Sequence, residues 1–151
     1  LHFYGRLFKI PAAERTKRVG QLIDMVGLNA AKHRQLREYS KGMQRRIGLA
    51  QALINNPELI LLDEPTSGLD PISAAAFDEL LLYLQRELAL TVVMITHDLD
   101  SLYRTCTRVG VLVDRHMVSD TLAGILGHPE PWIHAYFGGE RARQRSVRHG
   151  T

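Results

Sequence analysis

Between Pro57 and Pro65 the chain runs through four consecutive apolar residues, Leu59-Ile60-Leu61-Leu62, and ends in two acids, Asp63 and Glu64. A continuous apolar run between two prolines predicts a strand buried on both faces of a parallel sheet, which commits the chain to the α/β class. Carboxylates seldom close such a strand without a cation or a hydrogen-bond partner, because an unpaired buried charge is costly. Ligands of open α/β sheets sit at the carboxyl ends of the strands. Asp63 is therefore placed to hold a magnesium ion through water, and Glu64 to orient or deprotonate an attacking water. Taken alone, the same residues also fit a strand that simply ends in two solvated acids.

The segment just before this strand weighs against that simpler account. Ser40 is a natural N-cap for a helix over Gly42 to Ile54, with Ile47, Ala50, Leu53 and Ile54 along one side. A helix N-terminus with a serine hydroxyl and free amides at Gly42 and Met43 is an anion site, and Lys41 adds a positive charge. An ordinary capped amphipathic helix accounts for Ser40. It does not account for the position of that helix directly ahead of an apolar run ending in two acids.

After Asp70, Pro71 suits the first turn of a helix running to about Leu88, with Phe77, Leu80, Leu81 and Leu84 as its apolar stripe and Asp78, Glu79, Gln85 and Arg86 outside. Thr91 to Ile95 predicts a second buried parallel strand, followed by Thr96-His97-Asp98. A lone histidine is more often structural, but His97 closes this strand at the same carboxyl edge as the acid pair. Asp98 caps a helix that carries Cys106 as a small buried hydrophobe. Val109 to Val113 and Met117-Val118 flank Asp114-Arg115-His116, a hairpin pattern with His116 exposed in the turn. Thr121 caps a short helix to Leu126. A last, aromatic-rich helix packs through Trp132 and Phe137, or uses them for a dimer or partner contact.

Three of these stretches, in this order, resemble the ATP-binding cassette (ABC) ATPases. Tyr39-Ser40-Lys41-Gly42-Met43 is similar to the signature motif, Leu59 to Glu64 to the Walker B strand with its catalytic glutamate, and Ser67 to Asp70 to the D-loop. Tyr, Lys and Met depart from the usual Leu, first Gly and Gln of the signature, in a pattern similar to an export-type variant. His97 resembles the switch histidine. The resemblance implies the carboxyl-terminal part of a P-loop NTPase cassette: a helical signature subdomain portion over 1–56, an α/β core portion over 57–139 and a basic, disordered tail over 140–151. It implies ATP and Mg2+ as ligands, with Asp63 on the metal, Glu64 and His97 catalytic, and Ser40, Lys41, Gly42 and Met43 covering ATP in trans while Asp70 communicates across the dimer. The implied partners are a second ABC ATPase subunit, head to tail, and transmembrane permease subunits. The implied place is cytoplasmic, peripheral on the inner membrane.

Two finer resemblances divide the chain. Leu1 to about Leu62 is similar to ATPases of drug-, polysaccharide- or lipid-exporting permeases, whereas the part from Asp70 on is similar to those of MCE-type phospholipid transporters, a natural or engineered mosaic. Phe3, Tyr4 and Phe8 fit core packing of a helical subdomain better than the alternative, contact with a permease coupling helix. The chain carries no G-x-x-x-x-G-K-S/T phosphate loop. The expectation is that this loop and the Q-loop lie upstream of Leu1, so that the chain is part of a cassette or a truncated reading frame. Two other functions remain as alternatives: a catalytically silent fragment, and a soluble ABC ATPase outside transport.

Composition adds exclusions. Four arginines at 141, 143, 145 and 148 against Glu140 carry the net charge of +3, and the other residues hold equal numbers of acids and bases. A basic end of this kind gives no reason to expect nucleic acid as a partner. No stretch approaches the roughly 18 consecutive apolar residues of a membrane-spanning helix. A single cysteine forms no internal disulfide, consistent with a reducing compartment.

Overall fold

A computed structural model describes residues 1–138, as two compact units that divide between Thr96 and His97. The expected basic tail over 140–151 lies outside the described residues.

In the first unit, α1 (His2–Leu7), α2 (Ala12–Met25) and two 3-10 turns precede α3 (Lys41–Ala52). Then come β1 (Leu59–Asp63), α4 (Pro71–Leu88) and β2 (Thr91–Ile95). The two strands pair in parallel, from Leu59 opposite Thr91 to Asp63 opposite Ile95, so α4 is the crossover of a β-α-β unit. Leu22, Val26, Leu53, Ile54 and Leu84 are fully buried where α2, α3 and α4 meet, and Ile60 joins them from β1.

The sequence predicts a strand buried on both faces; β1 is buried on one. Successive side chains of a strand alternate between faces. Ile60 therefore points into the core, while Leu59 and Leu61, with Val93 and Ile95 of β2, form an exposed apolar face on which Leu61 is 72% accessible. Asp78 is the reverse case. Expected outside, it is only 1% accessible, because it lies four residues after Ala74 and three before Leu81 and so shares their buried face. Phe3 and Phe8, expected in the core, are exposed, and only Tyr4 of the three packs inward. Gly5 is the buried residue of α1, its bare backbone lying against the stem of Arg15; Phe3 is on the opposite side of the helix, and Phe8 follows its end as the C-cap.

The second unit holds α5 (Leu99–Thr105), β3 (Arg108–Val113), β4 (His116–Thr121), α6 (Leu122–Leu126) and α7 (Pro131–Gly138). β3 and β4 form the expected hairpin, antiparallel from Arg108 opposite Thr121 to Val113 opposite His116, so that His116, expected in the turn, instead opens β4. Asp114 and Arg115 both take positive φ, 46° and 67°, as a two-residue turn of the primed kind requires. Among the described residues this is a separate two-stranded sheet, not a third strand of the β1–β2 ladder. Ile125, Ile133 and Phe137 close a small core over Val109 and Val111. Trp132, expected to pack inward with Phe137, is 49% accessible and stacks on Tyr136 at 5.0 Å, since the two lie one turn apart on the outer side of α7. Cys106 is half-buried rather than buried.

Candidate functional site

α3 begins as its sequence dictates. Ser40 holds extended backbone, and its Oγ accepts a hydrogen bond from the Met43 amide at 3.2 Å, the expected N-cap. The Met43 amide is thus donated to Ser40 rather than left free for an anion. In front of Gly42 the nearest atom a Cβ would meet is Ser40 Oγ at 4.0 Å, so the backbone there is open to a close approach. Tyr39, where the resemblance has leucine, sits in the core and donates its hydroxyl to the Ala31 carbonyl at 2.9 Å, which satisfies its one polar atom. Gln44 Nε2 donates to the Tyr39 carbonyl at 3.1 Å and braces the entry to the helix.

At the other end of the unit, β1 delivers Asp63 and Glu64 to the carboxyl edge of the parallel pair. Asp63 is exposed, next to the apolar face of the sheet. Glu64 takes φ 45°, a left-handed conformation that costs a non-glycine residue on the order of 1 kcal/mol. Two contacts to the end of β2 hold it there. The Glu64 amide donates to the Ile95 carbonyl at 2.9 Å, and Thr96 Oγ1 donates to Glu64 Oε2 at 3.5 Å. The turn that follows is fully hydrogen-bonded, from Ser67 N to Glu64 O at 3.1 Å and from Leu69 N to Thr66 O at 3.1 Å, with Gly68 at φ 75°.

Asp70 ends this turn as the N-cap of α4. Its Oδ1 accepts from Ile72 N at 3.1 Å and Ser73 N at 3.0 Å, and Pro71 takes the first helical position. The Ser73 hydroxyl and then the Ser73 amide hold its carboxyl below the ordinary 3.8. A depressed carboxyl contributes stability that is complete above its unfolded value and lost as pH falls through its folded one. Acid titration of the folded chain is therefore expected to lower its stability on descending below about pH 4, and Asp70→Ala to remove part of that slope, as urea midpoints at several pH values will show.

The structure brings Asp63, Glu64 and Thr96 together at one strand edge, and Lys41 of α3 beside the Ser67–Gly68 turn. A cavity of about 210 Å³ is lined by Asp63, Leu62 and Pro65 together with Gln44 and Arg45 of α3, and another, of about 310 Å³, by Lys41, Gln44, Arg45 and Ser67. His97 follows Thr96 directly and opens the second unit. Sequence reading missed Arg45, whose Nη2 donates to the Ser67 carbonyl at 3.2 Å, and Thr96 as the partner of Glu64. Arg45 was discoverable from spacing, four residues after Lys41 on the same helix face.

The sequence profile described as ABC transporter matches residues 4–67. An uncharacterized ABC transporter ATP-binding protein of Synechocystis sp. is 42% identical over 143 residues, 93% of this chain and 40% of that protein. A methionine import ATP-binding protein, MetN 3 of Pectobacterium atrosepticum, is 40% identical over 122 residues, 80% of this chain and 35% of that protein. The chain thus spans about two fifths of the curated relatives it matches. Among solved structures, cbiO1 from Clostridium perfringens, part of the ABC transporter complex cbiONQ, superposes with a TM-score of 0.73 at 28% identity. That match covers 92% of this chain and 51% of the other.

Proposed function

Since the chain carries ABC transporter ATP-binding domain sequence and the α/β fold of ABC cassettes, with ABC ATP-binding proteins as its homologues, we propose that it is the ATP-hydrolysing part of a membrane transporter. The observation that carries this reading is Glu64. It is a carboxylate held in left-handed backbone at the mouth of a parallel strand pair, beside the exposed carboxylate of Asp63.

In this reading two cassettes meet head to tail. Ser40, Lys41, Gly42 and Met43 cover the phosphates of ATP bound by the partner cassette, using the open backbone at Gly42 and the charge of Lys41. Glu64 accepts a proton from, or orients, the attacking water, with Thr96 restraining its carboxylate. His97 contacts the γ-phosphate, and Asp70 transmits the state of one site to the other. The residues fit magnesium: Asp63 is an exposed carboxylate at the carboxyl end of the parallel pair, next to Glu64, and a hard cation that keeps its waters and takes oxygens from its substrate needs only one or two carboxylates. Asp63 would hold it, and the ion would neutralise charge on the phosphates.

No phosphate loop occurs in the 151 residues, and we assign it to sequence outside them. No helix among the described residues is long and apolar enough to cross a membrane. In this reading the transport path belongs to permease partners, with this chain peripheral on the cytoplasmic face. On cargo, the phospholipid reading rests on the resemblance of the part from about Asp70 on, and relatives named for methionine import support a small-solute importer instead. In the reconstituted transporter, stimulation of turnover by phospholipid or by methionine separates the two.

A direct test uses an intact relative cassette with its own catalytic glutamate neutralised and its own signature serine replaced, so that pairs of it cannot close over ATP. Adding this chain is expected to restore ATP retention by that cassette. Failure to restore it, or tight Mg-ATP binding by this chain alone, would overturn the reading.

A further inference from the structure

Beyond the residues that reach the nucleotide, α3 makes a second connection. Lys41 and Arg45 are one turn apart and lie over the Thr66–Leu69 turn. The Leu69-to-Thr66 hydrogen bond closes this turn, and the positive φ of Gly68 gives it the form with the central peptide flipped; the Ser67 carbonyl, in that central peptide, is not used by the closing bond. That carbonyl accepts from Arg45 Nη2 at 3.2 Å. Lys41 Nζ stands 3.5 Å from where a Cβ on Gly68 would be, an ordinary van der Waals distance, so the ammonium lies against the turn while the positive φ, not the ammonium, calls for glycine. Two overlapping short-range hydrogen bonds, Ser67 N to Glu64 O and Leu69 N to Thr66 O, span Glu64 to Leu69, and Asp70, the next residue, caps the first amides of α4. A planar guanidinium on a carbonyl that the closing bond does not use ties that stretch to α3 by a charge-assisted bond.

We propose that Arg45, with Lys41 beside it, is a positioning residue that locks the Ser67–Gly68 turn to α3, so that closure of Ser40 and Gly42 over a partner's ATP displaces Asp70, and the turn after Glu64, together with the helix. This rests on the ATPase reading above. Arg45 touches neither nucleotide nor water in it, and acts through the turn.

Two measurements test it, one independent of the reaction. Amide exchange at Ser67 and Leu69 of this chain is expected to rise about tenfold in Arg45→Ala, the scale of one hydrogen bond to a charged group, with core amides of α2 and α4 unchanged and Arg45→Lys intermediate. In the assembled transporter, Arg45→Ala is expected to lower kcat about tenfold with KM for ATP within about twofold, as for a displaced rather than a deleted catalytic group. Unchanged exchange at Ser67 and Leu69 overturns the tie. Raised exchange with kcat at the wild-type level, or with the loss entirely in KM, overturns the coupling. A wild-type assembly with no turnover counts against the ATPase reading itself, and exchange in the chain alone still decides whether Arg45 holds the turn.

Discussion

Glu64→Gln is expected to lower ATP turnover in the assembled protein by about two to three orders of magnitude, the usual contribution of a positioned general base, while ATP is bound and retained. The substitution isolates charge from shape. Glutamine keeps the side-chain length and an amide oxygen that can still accept from Thr96 Oγ1. It leaves the backbone bond from residue 64 to the Ile95 carbonyl untouched, and it adopts the left-handed φ no less readily than glutamate. What it removes is the capacity to take a proton and the negative charge beside Asp63. Stability of the chain is therefore expected to change by less than about 0.5 kcal/mol. Single-turnover hydrolysis and nucleotide retention on the same preparation check both halves of the statement. Turnover near the wild-type rate would remove Glu64 from the chemistry and return the acid pair to the bland alternative of two solvated carboxylates.

How much of such a site is legible in the amino-acid sequence depends on which interactions are local. Ser40, Asp98 and Thr121 cap the helices that follow them, as expected, and Asp70 caps α4 in the same way, because an N-cap is decided by a side chain and an amide two or three residues away. The hairpin at Asp114-Arg115 is legible for the same reason. Most of what the sequence hides involves partners far away along the chain. Leu59 and Leu61 look like any buried apolar run; only the pairing of β1 with β2 alone, among the described residues, shows that their face is left open. Charge argues for Asp78 outside, although its spacing from Ala74 and Leu81 already puts it on the buried face of α4. Size argues for Trp132 inside, but Ile133 and Phe137 take that side of the helix. Within the site, Asp63 and Glu64 are legible from a strand ending in acids. Thr96 is not, since it contacts Glu64 across 32 positions; Arg45 shares a helix face with Lys41 by spacing, but its partner Ser67, 22 positions away, is not legible.

Phe77→Ala is expected to destabilise the fold by about 3–4 kcal/mol, from the lost burial of the ring and the space left behind it. Phe77 is 3% accessible on the inner face of α4 and belongs to the core cluster that includes Leu49 of α3 and Ile60 of β1. It is also the residue at which that core meets the site, since it lines the same 210 Å³ cavity as Leu62, Asp63 and Pro65. The pre-existing opening limits how far the wall must collapse and keeps the expected cost at the lower end of the range for phenylalanine. Against a total stability on the order of 5–15 kcal/mol for a domain, a loss of this size is large enough to populate unfolded chain at physiological temperature. Urea unfolding followed by far-UV circular dichroism is the suitable readout. The single tryptophan, Trp132, lies exposed on α7 in the other unit and is a poor reporter of this core. The midpoint should fall with the slope unchanged, as for a change in stability without a change in the surface exposed. A loss below about 1 kcal/mol would mean that the ring is not the packed centre described here. The support that β1 and α4 give to Asp63 and Glu64 would then have to come from elsewhere.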